Sequence, residues 1–96
     1  MRTVYKYTLP PDVLKGNWSI ELPGSAYLLS VAVQNGVICL WYEVETEDPV
    51  SVHTFRVFGT GWEIPKFDDI RKRYYHMETF FDDPFVWHLY ELICFD

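Results

Sequence analysis

Residues 26–44 read AYLLSVAVQNGVICLWYEV, and this stretch decides the fold. Two apolar runs rich in β-branched residues flank Asn35-Gly36, the strongest short-range hairpin signal, because a type I′ turn needs φ > 0 at both central residues and Asn and Gly adopt it at least cost. With Asn35-Gly36 as a two-residue loop, Gln34 faces Val37, Val33 faces Ile38, Val31 faces Leu40 and Leu29 faces Tyr42. One side then carries Leu29, Val31, Val33, Ile38, Leu40 and Tyr42, apolar throughout and expected to be core. The other carries Leu28, Ser30, Ala32, Gln34, Val37, Cys39, Trp41 and Glu43. A slip of one residue would mix the two sets, so the turn and the pattern select the same pairing.

Outward from this hairpin the chain reads as further strands. TVYKYTL, Thr3 to Leu9, is β-branched and aromatic and is stopped by Pro10-Pro11, which cannot donate to a ladder. Asp12 to Asn17 is expected to turn, with Gly16-Asn17 in left-handed positions. In WSIEL, Trp18, Ile20 and Leu22 alternate inward against Ser19 and Glu21. After the polar break at Glu45, Glu47, Asp48 and Pro49, Val50 to Phe58 is a strand. Val52, Thr54, Arg56 and Phe58 share one of its faces, His53, Phe55 and Val57 the other. Gly59-Thr60-Gly61 ends it, and residues 61–69 read as a loop packed down by Trp62, Ile64 and Phe67. IRKRYYHMETFF, Ile70 to Phe81, fits a strand with Arg71, Arg73, Tyr75 and Met77 on one face, or a short helix capped by Asp68 or Asp69. Its consecutive rings favour the strand. Phe85 to Phe95 is the last. Seven strands without a long helical crossover predict one all-β domain over residues 1–96, a small antiparallel β-sandwich or barrel.

Eighteen aromatic side chains (seven Tyr, seven Phe, four Trp) in 96 residues exceed what so small a core needs, which places some at a binding surface and predicts a homo-oligomer. A net charge of −6 argues against general nucleic-acid binding, where Lys and Arg must neutralise phosphates. No run approaches the roughly twenty apolar residues of a membrane span, and the N-terminus lacks the apolar centre of a signal peptide. The expected location is therefore the cytoplasm, with Cys39 and Cys94 as buried thiols and no zinc.

The succession IELP (20–23), LLSVAVQNGVICLWYEV (28–44), HTFRVFGTGWEIP (53–65) and FVWHLYE (85–91) resembles a family of small uncharacterised proteins of phage genomes and prophages. The likeness leaves out residues 67–83. It implies an origin and no mechanism: a small phage accessory protein acting in the host cytoplasm, a class in which many members blunt host defence.

Three constellations bear on chemistry. Gly59-Thr60-Gly61 could offer backbone N–H groups to a phosphate, although no P-loop lysine follows; the plain alternative is a turn needing φ > 0. Arg71-Lys72-Arg73-Tyr74-Tyr75 is the one basic island in an acidic chain. Guanidinium groups beside rings hold phosphates and stack bases, while the plain alternative is an edge strand guarded by charge. His53, His76 and His88 lie on three segments, and a hydrolase would need one beside a nucleophile or carboxylate. The acidic clusters around Glu43–Asp48 and at Asp68, Asp69, Asp82 and Asp83 solvate loops or imitate a phosphate backbone.

The resulting expectation is a binding protein and not an enzyme, without catalytic residues, metal or cofactor. It would sequester a small anionic, nucleotide-type ligand with Arg56, Arg71, Arg73, Tyr75, Trp41 and Trp62. The alternative is an inhibitor that binds a host nuclease or polymerase component through an acidic, aromatic surface. Hydrolysis of a nucleotide through a histidine is a third reading.

Overall fold

A computed structural model describes residues 1–95; Asp96, included in the expected 1–96 domain, lies outside the described residues. The fold is all-β, with seven strands: β1 (Arg2–Leu9), β2 (Trp18–Pro23), β3 (Tyr27–Gln34), β4 (Val37–Glu45), β5 (Val50–Gly59), β6 (Lys72–Asp82) and β7 (Phe85–Cys94). They form two antiparallel sheets, β1-β4-β3 and β2-β5-β7-β6, a sandwich and not a closed barrel. The segment with two readings is a strand: it becomes β6, and a bulge at Met77 inverts its alternation, so that Tyr74 is buried on the outer face and Phe80 in the core.

The hairpin forms at the expected turn, with φ of 52° at Asn35 and 78° at Gly36. Val33 pairs with Ile38 and Val31 with Leu40, as the pattern requires. Beyond Ser30 the register departs from expectation. A β-bulge between Leu28 and Ser30 sets Leu28, not Leu29, opposite Tyr42. Leu28 consequently packs against the core, and Leu29, expected inside, is 46% exposed. An extra residue on one strand inverts the alternation beyond it, which period-two reading cannot foresee.

The core lies between the sheets: Leu40, Tyr42 and Val44 from β4 meet Leu22, Phe55, Val57 and Leu89 from the other sheet. A 3₁₀ turn at Pro11–Leu14 adds Val13, fully buried. That turn also overturns the expectation for Gly16 and Asn17, neither of which has positive φ. The chain closes instead through the amides of Lys15 and Gly16 donating to the Asp12 carbonyl at 2.9 and 3.1 Å, with Lys15 right-handed. Trp18, expected inside, is 38% exposed because it starts an edge strand. Cys39 is buried and Cys94 is exposed, both free; Cys94 ends a strand that by then is paired only with β6.

Gly59-Thr60-Gly61 has two separate needs for glycine. Gly61 has φ of 87°. At Gly59 the need is space, since a Cβ there would stand 2.8 Å from the Trp62 indole.

Leu40→Ala is expected to cost about 2–5 kcal/mol of stability, because Leu40 is fully enclosed. Leu29→Ser should stay within about 0.5 kcal/mol. Urea unfolding of the two variants checks the bulge, since an unbulged register would make both losses large.

Candidate functional site

Sheet β2-β5-β7-β6 has apolar residues on both faces. Phe55 and Val57 of β5 enter the core, while Phe58, on the opposite face, is 2% exposed without belonging to that core. Its cover comes from neighbouring strands. Tyr74 of β6 and Tyr90 of β7 each stand edge-on to the Phe58 ring with centroids 5.4 Å apart. Phe67, from the connection between β5 and β6, lies 5.4 Å from Tyr74. The Tyr74 hydroxyl donates to Oδ1 of Asn17, which fixes this ring.

The connection is tied at both ends. Trp62 rests on Gly59 and meets Trp87 edge-on at 5.6 Å. At the other end Asp69 takes the Arg71 Nε and Nη2 hydrogens at 3.0 and 2.9 Å and the Arg71 amide at 3.0 Å. Between these ties the chain and the sheet enclose an open groove of about 510 Å³. Ile64, Pro65 and Phe67 supply apolar wall and Tyr74 and Tyr90 rings. Lys66, Lys72 and Arg73 supply charge, and no carboxylate lines the groove among the described residues. An apolar wall with a few convergent charged groups is the composition of a small-molecule site.

The residues singled out from sequence fall in several places. Arg73 lines the groove, and its guanidinium carbon sits 4.6 Å from the centroid of the Tyr75 ring. Arg56 is the cross-strand partner of Tyr90 and stacks on Phe58 at 4.8 Å. Its Nε is buried and has no hydrogen-bond partner among the described residues. Arg71 precedes β6 and is chelated by Asp69. Trp62 lies at the far tie of the connection, against Trp87. Trp41 belongs to the other sheet, where Lys6 sits 5.8 Å from its ring. Arg56 therefore lies on the groove's face of the sheet and Arg73 at its border, whereas Tyr75, with the Arg73 guanidinium on it, is on the opposite face and Trp41 is in the other sheet.

Sequence reading missed Lys66, Lys72, Phe67, Tyr74 and Tyr90 as lining residues. Lys72 and Tyr74 belonged to the basic island already noted. Tyr90 could have been found by pairing the polar face of β5 with that of β7. Lys66 sits in an irregular segment that carries no period.

The Asp69–Arg71 turn has an electrostatic signature. The side-chain hydrogen bonds from Arg71, then the bond from its amide, hold the Asp69 carboxyl below its ordinary value of 3.8, and Asp69 raises Arg71 in return. A depressed carboxyl favours the folded state at pH above its unfolded value, and that contribution is lost as pH falls through the folded value.

A two-sheet β-sandwich with a basic, ring-lined surface groove is the class that fold and site define. The chain belongs to the family described as a domain of unknown function, DUF7352, which matches residues 1–95. No curated protein and no solved structure matches it.

Carboxyl-detected NMR titration should place the Asp69 midpoint below 3.8, and Arg71→Ala should move it upward towards that value. An unchanged midpoint in the variant would mean that the chelate does not form.

Proposed function

We propose that this protein captures a small anionic, ring-bearing ligand of the nucleotide type in the groove between the β5–β6 connection and β6–β7. The supporting observation is that Lys66 and Lys72 share a groove with Tyr74 and Tyr90, with Arg73 at its border and no acidic lining residue among those described, in a chain of net charge −6. Phosphate oxygens would take charge-assisted hydrogen bonds from Lys66 and Lys72, while a base or sugar lies against Tyr90 and the Ile64-Pro65 wall. Arg56, with its unmet Nε donor under the same rings, adds positive potential from below. The resemblance to small phage proteins extends this reading to a setting. Capture of a nucleotide signal in the host cytoplasm would deprive a defence system of its messenger, and neither a cofactor nor a membrane is needed for it. No helix here is long and apolar enough to cross a membrane among the described residues.

A second reading has its own observation. At the end of the sandwich carrying the Asn35-Gly36 turn, an apolar groove of about 500 Å³ is lined by Leu14, Trp18, Val37, Ile38 and Trp87, with Asp82 at its rim. Phe85 stacks on Trp87 at 5.5 Å and is 56% exposed. An apolar, aromatic surface with one carboxylate suits a protein partner, either a second copy of this chain or a host nuclease or polymerase component.

Calorimetry with cyclic nucleotides and ADP-ribose derivatives is expected to show binding tighter than millimolar for at least one of them, weakening with added salt. Lys72→Ala should weaken it roughly 10- to 100-fold, the worth of one charge-assisted contact, and Trp41→Ala should leave it unchanged. If nothing in the panel binds below millimolar, the reading is lost.

A further inference from the structure

We propose that Ser51, His53 and Glu91 form a hydrolytic triad for neutral carboxylic esters, separate from the basic groove. Ser51 and His53 are two apart on one face of β5, so their side chains are neighbours, and Ser51 Oγ stands 3.1 Å from His53 Nε2. Glu91 of β7 is the cross-strand partner of Phe55, one step diagonal from His53, and its Oε2 lies 2.8 Å from His53 Nδ1. Phe55, fully buried, stacks on the imidazole with the planes 14° apart, which orients the ring.

The partners settle the proton positions. A carboxylate can only accept, so Nδ1 carries the hydrogen and donates it to Glu91, leaving the Nε2 lone pair for the Ser51 hydroxyl. That is the order nucleophile, base, orienting acid in which an activated serine works. The Glu91 and His53 side chains are 15% and 23% exposed, which shields the pair from water, whereas Ser51 is at the surface and reachable.

Next to the pair is a cavity of about 500 Å³, lined by His53 and Glu91 together with Leu28, Leu29, Met77 and Tyr42. Tyr42 is 3% exposed and its hydroxyl has no hydrogen-bond partner among the described residues. A buried donor left unmet costs about 1–3 kcal/mol. Burial, and then the charge of Glu91, keep this phenol protonated, hence a donor. Further donors come from the backbone, because β7 pairs with β5 only from Thr54 onward and leaves residues 50–53 without a ladder partner on that side. Leu28, Leu29 and Met77 give the cavity one apolar wall for a short acyl chain, while Ser51 is not among its lining residues and meets the ester carbonyl from the solvent side of His53. Glu78 and Glu91 on the same wall disfavour an anionic one.

The chemistry balances without a further reactant. Ser51 Oγ bonds to the ester carbonyl carbon while its proton passes to Nε2, and Glu91 stabilises the imidazolium. Collapse breaks the ester C–O bond, and the departing alkoxide takes the Nε2 proton. Water, deprotonated by Nε2, then attacks the acyl-serine; the acyl–Oγ bond breaks, Ser51 Oγ takes the proton back from Nε2, and the carboxylic acid leaves.

The test combines labelling by a fluorophosphonate probe with hydrolysis of p-nitrophenyl butyrate. Wild-type protein is expected to be labelled on Ser51 and to turn the ester over. Ser51→Ala, a surface change, should abolish both, His53→Gln should slow turnover at least 100-fold and Arg73→Ala should have no effect. Thermal unfolding establishes that each variant is folded. Absence of labelling in folded wild-type protein, or turnover persisting in Ser51→Ala, overturns the proposal and leaves nucleotide capture untouched, since the two sites share no residue.

Discussion

The groove exists because Phe58 is buried on the wrong side of its sheet. A strand in a two-layer sandwich satisfies one face by packing on the other sheet, as Phe55 and Val57 do. A large ring on the opposite face must be covered by something else, or about 1.5–3 kcal/mol of burial is forfeited. Tyr74 and Tyr90 provide the cover, and they can do so only if β7 lies beside β5 and β6 beside β7, which is the observed strand order. Two tyrosines over a phenylalanine leave a ring-lined surface, and the β5–β6 connection, held by Trp62 and Phe67, turns that surface into a groove. The packing requirement thus comes first, and the site is its consequence.

The same strand explains why chemistry gathers at its two ends. β5 runs from Val50 to Gly59, whereas β7 accompanies it only from Thr54 to Gly59. Where β7 is present, the faces of β5 are closed, by the core on one side and by the tyrosine pair on the other. Where it is absent, Ser51 and His53 stand beside unpaired backbone, with Glu91, the cross-strand partner of Phe55, hydrogen-bonded to His53. Side chains at the margin of a sheet keep access to solvent while their backbone stays rigid, and that combination is what a binding or reacting group requires.

Much of the fold was legible in the sequence, for identifiable reasons. Asn35-Gly36 specifies its own turn and therefore its register, and Pro10-Pro11 and the acidic break before Val50 bound strands without reference to tertiary structure. Legibility ended where a single residue interrupts the alternation: the bulge that exposes Leu29 and the one at Met77 in β6 are invisible to a period of two. The candidate site was half legible. Local composition disclosed the basic island, but the pairing of Lys66 with Lys72 and Arg73 depends on how an aperiodic connection lies across the sheet. His53 beside both Ser51 and Glu91 is a cross-strand relation, and no spacing along one segment encodes it.

An acidic protein can still draw anions to such a groove, because the field that matters is local. At physiological ionic strength charges further apart than about 8 Å are largely screened where they face solvent. The carboxylates at Glu43, Glu45 and Glu47 belong to the other sheet or the turn after it, and all three are engaged: Glu43 with Arg2 at 3.0 Å, and Glu45 and Glu47 with the N-terminal amine. Nearer the groove, Asp69 could compete for Lys72 or Arg73, but its oxygens are already occupied by Arg71. On the proposed reading, the chelate that neutralises Arg71 would also take one nearby carboxylate out of competition with an incoming phosphate, so that Arg71 would act on the groove through Asp69 and not by touching a ligand.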